Sequence, residues 1–277
     1  MNPETALGKL RTWYQDPDLL RSRQQHRTNP NAGLGFVDWL VDMLPLDGVH
    51  TILDAGAGVG RFTRPIAIRC QELGIRVVAG DLFAGMVTAI RDATFADGIP
   101  VDVAVADIER LPFVDDAFDL VLANHVLYHV PDIDQGVREL ARVTARGGLC
   151  VATTNADDIP IPVIDLHHAV LGRLGVRHDP DPRSSFSLDN GEDRMRVGFR
   201  EVELRVYESQ AFFDTPAMLV DVYQTTGRYR SASVEYGLPA ADLVRVATEV
   251  CARWFAERDG RVVGRVLMGA FFCRGAS

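Results

Sequence analysis

A chain of 277 residues, 47% hydrophobic and 24% charged, can bury a full core as one large domain or as a domain with a substantial insertion. Its net charge of -9 would repel a nucleic-acid backbone and no basic run compensates, while no apolar stretch approaches the roughly 20 residues that cross a membrane. Four dispersed cysteines (Cys70, Cys150, Cys251 and Cys273) without a C-x-x-C pair argue against a zinc cage or a disulfide framework, and the opening MNPETALGKLRTWYQDPD has no apolar leader core, so a cytoplasmic protein is expected.

Residues 1–45 read as mainly helical, with LGFVDWLVDMLPL carrying apolar residues at helical spacing. From 50 to 155 short apolar runs (HTILDA, GIRVVAG, VDVAVAD, FDLVLAN and GLCVATT) alternate with the helical stretches RFTRPIAIRCQELG, GMVTAIRDATFAD and DQGVRELARVTARGG. The last of these is expected to close on the Gly147-Gly148 pair. Buried strands separated by crossover helices predict an α/β, doubly wound, mostly parallel sheet. After 155 the alternation stops. A mainly helical cap insertion is expected over 156–197, a strand at FREVELRVY, two helices within 214–258, and a closing strand at RVVGRVLMGAFF. The expected units are an N-terminal helical lid (1–45), a ligand-binding core (46–155), the cap, and a C-terminal part of the sheet (198–277) with its own helical insertion.

In an open α/β sheet ligands sit beyond the carboxyl ends of the strands, where the strand order reverses. The stretch ILDAGAGVGRF places Asp54 at such an end and glycine at 56, 58 and 60. Small residues there let the backbone approach a ligand, and the next helix offers free N–H groups. The spacing is G-x-G-x-G with Arg61 following, a poor match to the dinucleotide pattern, and Asp54 suits a ligand bearing positive charge. Strand two ends in Asp81, placed to accept hydrogen bonds from two ribose hydroxyls, and strand three in Asp107 with the Ile108 amide, placed to meet the polar edge of an adenine. An adenosine with a zwitterionic, cationic tail fits these ends.

DAGAGVG, Asp81, ADIERLPFVDDAFDLV and NHVLYHVPD together resemble the class I S-adenosylmethionine-dependent methyltransferases, in particular the small-molecule group that includes the ubiquinone-pathway C-methyltransferases. The resemblance covers about residues 50–155 and implies a seven-stranded sheet with one antiparallel strand, which RVVGRVLMGAFF is placed to supply. It further implies that the backbone of Ala55, Gly56, Gly58 and Gly60 holds the methionine portion with Asp54 facing it, that Leu82 and Met86 pack near the adenine, and that the backbone at Asn124 and His125 lines the methyl end. A looser likeness in YQDPDLLRSRQQHRTNP assigns Tyr14, Arg23 and His26 to closing over the cofactor, with Arg23 a partner for its carboxylate.

His125, just past strand four, is the first candidate for a base or acceptor-orienting group; His129 is the second, with backbone hydrogen bonding as its alternative. The His167-His168 pair has no acidic or cysteine partner at metal spacing, so no metal is expected. Tyr207, Phe212, Phe213 and Tyr223 are pocket or core residues. The expected partner is a small organic acceptor methylated on O, N or C, with S-adenosylhomocysteine as product, no nucleic acid or membrane, and a possible homo-oligomer; a bacterial secondary-metabolic role is the expected setting. A non-catalytic nucleoside-binding regulator and an NAD(P)-dependent oxidoreductase remain alternatives.

Overall fold

The computed structural model describes residues 17–18, 35–157, 162–177 and 184–276. Seven strands form one sheet in the order β3-β2-β1-β4-β5-β7-β6: β1 (Thr51–Ala55), β2 (Arg76–Asp81), β3 (Asp102–Val105), β4 (Phe118–Asn124), β5 (Thr144–Asn155), β6 (Phe199–Phe213) and β7 (Val262–Ala276). β1 through β5 pair in parallel, whereas β7 runs antiparallel between β5 and β6. The doubly wound sheet and its single antiparallel strand are therefore as expected. β1 is flanked by β2 on one side and β4 on the other, so the reversal of strand order falls at the glycine-bearing end of β1.

Both sheet faces are covered, which is why the central strands are continuous apolar runs. One face packs α1 (Phe36–Met43), α2 (Thr63–Gln71) and α3 (Ala84–Ala96) through Leu40, Ile66, Cys70 and Ile90. The other packs α4 (Ile133–Val143) through Val137, Leu140 and Ala141, and α6 (Gly191–Met195) through Met195; α5 is Pro162–Arg173. α4 starts where Asp132 accepts the Gln135 N–H at 3.0 Å. A separate apolar cluster joins α5, α7 (Pro216–Gln224), α8 (Gly227–Tyr236) and α9 (Ala240–Glu257) to Phe213 at the end of β6 and Val262 at the start of β7.

Three features differ from the sequence reading, the first being that β6 runs six residues beyond FREVELRVY, to Phe213. α4 ends at Val143, where the Thr144 hydroxyl donates to the Leu140 carbonyl at 2.7 Å, and β5 begins there at once, so Gly147 and Gly148 lie in the strand. A Cβ on Gly148 would stand 2.8 Å from the carbonyl oxygens of Ala145 and Asp119, backbone that cannot swing aside. Gly148→Ala is expected to destabilise the protein by roughly 1–3 kcal/mol in a denaturant titration, the usual effect of overpacking. Residues 214–258 hold three helices, not two: Thr226 caps α8 by accepting the Tyr229 N–H, and Gly237 ends it at φ 63°.

Candidate functional site

The carboxyl ends of β1, β2 and β4 bring together Asp54, the glycine loop, Asp81, Asn124 and His125. Asp54 is buried and each of its oxygens accepts one hydrogen bond: Oδ2 from the Thr63 hydroxyl at 2.6 Å and Oδ1 from the Asn124 amide at 3.2 Å. Burial pushes the Asp54 carboxyl up to about 6, against those two donors and with a further push from the Asp81 charge. A cation beside it would favour the charged form. Past Ala55 the chain turns as the N–H groups of Gly56 and Ala57 both donate to the Gly80 carbonyl, at 2.8 and 3.0 Å.

Asp81 lies at the end of β2 with its Oδ2 accepting the Gly58 N–H at 2.8 Å and its Oδ1 the Phe83 N–H at 3.0 Å. One carboxylate thus ties the glycine loop to the β2 turn. Burial pushes its pKa up while those two hydrogen bonds hold it back. Each oxygen keeps a second lone pair, enough to accept two hydroxyls from one ligand. Leu82 follows it, 37% exposed, whereas Met86 on the first turn of α3 is buried. Beyond β3, Asp107 is exposed and accepts the Glu109 N–H at 3.0 Å, and Ile108 packs into the core.

Asn124 ends β4 and is buried, its Oδ1 accepting the Thr153 hydroxyl at 3.3 Å while its amide donates to Asp54. Thr153 also takes the His125 N–H, on its carbonyl and its hydroxyl, both at 3.1 Å. Those bonds help hold His125 at φ 50°, a left-handed backbone uncommon outside glycine and asparagine. Around the His125 ring stand Phe36 at 5.4 Å, Phe62 at 5.9 Å and Tyr128 at 6.4 Å between centroids, with Tyr207 and Trp39 against Phe36. His129 closes the short 3-10 turn Leu127–His129 with its ring on Tyr128.

Tyr14, Arg23 and His26 lie outside the described residues. The core reading holds for Tyr223 and Phe213, both buried among the helices beyond β6, and Phe212 stacks under Arg261. His167 bonds the Tyr223 hydroxyl through Nδ1 at 3.1 Å, and among the described residues no cluster of metal-ligating side chains occurs. No helix there is long and apolar enough to cross a membrane. Thr63, Gly80 and Thr153 are parts of the site that sequence reasoning does not find. Thr63 follows Asp54 by nine positions at the start of α2, but no pattern marks that hydroxyl as a partner of the acid.

Residues 53–152 match the family model of a methyltransferase domain. The methyltransferase GfsG of Streptomyces halstedii is 32% identical over 141 residues, which cover 48% of this chain and 50% of that protein. The ubiquinone/menaquinone biosynthesis C-methyltransferase UbiE of Laribacter hongkongensis is 36% identical over 132 residues, 46% of this chain and 54% of that one. The chain spans about half the length of these curated relatives. Among solved structures, the [4+2]-cyclase SpnF aligns over 97% of this chain and 94% of its own with a TM-score of 0.55; at 17% identity this is a likeness of fold.

Proposed function

Because residues 53–152 match the model of a methyltransferase domain, we propose that the chain is a class I S-adenosylmethionine-dependent methyltransferase that transfers a methyl group from S-adenosylmethionine to an O, N or C atom of a small organic acceptor. The observation that carries the reading is the pair of buried carboxylates, Asp54 and Asp81, joined through the glycine loop at the point where the strand order reverses. They fit that cofactor chemically. Asp54, raised towards neutrality by burial, is suited to a cationic amino-acid end, and Asp81, with spare lone pairs, to the ribose diol.

When bound, the cofactor supplies a methyl group already activated on a sulfonium. The protein's part is then alignment and exclusion of water, worth roughly 7–11 kcal/mol in well-oriented reactions. Asp54 holds the ammonium of the methionine portion, and the amides of the glycine loop approach its backbone. Asp107 and the Ile108 N–H read the adenine edge beside Leu82. Asn124, fixed between Asp54 and Thr153, sets the wall next to the methyl. Phe36, Phe62 and Tyr128 shield His125 from water on several sides. His125 orients the acceptor there and takes its proton where the nucleophile must lose one; His129 sits further along the same turn.

The acceptor pocket is assigned to residues outside the 53–152 domain, chiefly the helices that follow β5 and β6.

Calorimetry with S-adenosylhomocysteine tests the cofactor and the site together. Wild type is expected to bind, and Asp81→Ala to bind at least tenfold more weakly, about 1.4 kcal/mol. Asp81→Asn, whose amide nitrogen cannot accept from one of the two N–H groups that the carboxylate holds, should weaken binding too. Binding equal in all three would remove Asp81 from the site, and binding of NADH with no binding of S-adenosylhomocysteine would sink the methyltransferase reading.

A further inference from the structure

β6 is the last strand of the sheet, runs for 15 residues, and among the described residues no strand pairs with its outer edge. Its sequence, FREVELRVYESQAFF, contains no proline, and its five charged residues (Arg200, Glu201, Glu203, Arg205 and Glu208) are of both signs, so they oppose edge pairing only in a register that sets like charges together. Leu204 and Val206 are 36% and 50% exposed. Arg200, Val202, Leu204, Val206 and Glu208 share one face of the strand, while Glu201, Glu203, Arg205 and Tyr207 share the other.

The order of these side chains is self-complementary. If a second copy of β6 is laid antiparallel with Leu204 opposite Leu204, Val202 faces Val206 and Arg200 faces Glu208 on the first sheet face, and Glu203 faces Arg205 on the second. Each of these cross-strand pairs is apolar on apolar or opposite in charge, Glu201 facing Tyr207 is the one further pair within 200–208, and the two-fold axis repeats them all. Moving the axis to either neighbouring residue sets Glu203 against Glu203 or Arg205 against Arg205, where like charges directly opposite destabilise. The same sequence that favours one register therefore opposes its nearest competitors.

We propose that the outer edge of β6 is a homodimer interface in which two copies of the chain join their sheets through antiparallel β6 strands centred on Leu204. Within one copy Glu203 and Arg205 meet at 2.7 Å and Glu208 meets Arg265 at 2.7 Å, all of them partly exposed. In the dimer these become shared networks spanning the axis. The main chain supplies affinity through hydrogen bonds along the paired edges, and the charges set the register.

The test uses the full chain and measures mass by sedimentation over a range of concentrations. Wild type should reach the dimer mass. Glu203→Arg alone and Arg205→Glu alone should each remain monomers, because each sets like charges opposite each other. An equimolar mixture of the two variants should form a heterodimer, since the two basic side chains at positions 203 and 205 of one copy then face the two acidic ones at 205 and 203 of the other. That rescue would also show that neither variant had lost its fold. Amide exchange over residues 200–208 of wild type, slower in concentrated than in dilute solution, reads the same pairing without a substitution. A wild type that stays monomeric, single variants that still dimerise, or exchange independent of concentration would each overturn the proposal.

Discussion

Replacing Gly56 with alanine is expected to destabilise the protein by roughly 2–5 kcal/mol and to abolish measurable cofactor binding. Gly56 has φ 77°, a conformation that L side chains adopt only at a cost of about 1–2 kcal/mol. A Cβ there would also stand 2.3 Å from Val126 Cγ2 and 2.8 Å from Val126 Cβ. Rotating the valine relieves the first contact and leaves the second. The chain at Val126 must therefore retreat, and His125 and Asn124 immediately precede it. The glycine loop and the β4 turn are thus two halves of one steric unit, so a methyl group on the first displaces residues on the second. Chemical denaturation measures the loss of stability, and the double variant Gly56→Ala/Val126→Ala should recover part of it. Full recovery would show that the left-handed backbone costs nothing; a Gly56→Ala protein as stable as wild type would refute the close approach itself.

This coupling explains which parts of the site are legible in the sequence. The glycines are, because a backbone turn with positive φ is a local demand that only a few residue types meet, and the G-x-G-x-G spacing states it openly. Asp54 and Asp81 are as well, since each ends an apolar run and strand ends are where such sheets bind ligands. β4 lies where the run FDLVLAN places it, since it is buried on both sides and bounded by polar residues. Thr63 and Thr153 carry no comparable mark. Their hydroxyls matter only because the fold sets them 2.6 Å from Asp54 and 3.3 Å from Asn124, and a threonine in a strand or at a helix start has many other reasons to be there. Gly147 and Gly148 mislead for the same reason. A glycine pair after a helical stretch reads as a stop, yet Gly148 is required by the carbonyl of Asp119 on the neighbouring strand, a tertiary cause invisible along the chain. The third helix in 214–258 escapes the sequence reading although its boundary is local, the αL residue Gly237 after α8.

Asp54→Asn is expected to make the ligand-free protein more stable by about 2–3 kcal/mol near neutral pH, and by nothing in acid. The Asp54 carboxyl rises from 3.8 to about 6 on folding, chiefly through burial. A group whose folded pKa lies above its unfolded one binds its proton more tightly in the folded state. Its ionisation then costs nothing below about pH 4, and the cost grows as pH rises through the window to about pH 6, above which it is complete; a shift of about two pKa units corresponds to roughly 3 kcal/mol. The asparagine, like the protonated acid, accepts from one of Thr63 and Asn124 on its carbonyl oxygen, so the two proteins match in acid and part only as the carboxyl ionises. Urea titrations of both proteins at several pH values should give curves that converge in acid and diverge above pH 6; a gap independent of pH would mean that the carboxylate is not desolvated as the structure has it. The same variant should bind S-adenosylhomocysteine more weakly, because on the proposed function the residue that burdens the empty fold is the one that meets the ammonium. For wild type, affinity should climb with pH from about 5 to 7 as Asp54 ionises, with a proton released on binding in that range, visible as a dependence of the calorimetric heat on the buffer used. On the proposed function, Asp54 is held at a loss in stability that the bound cation offsets, the behaviour expected of a binding residue and not of a structural one.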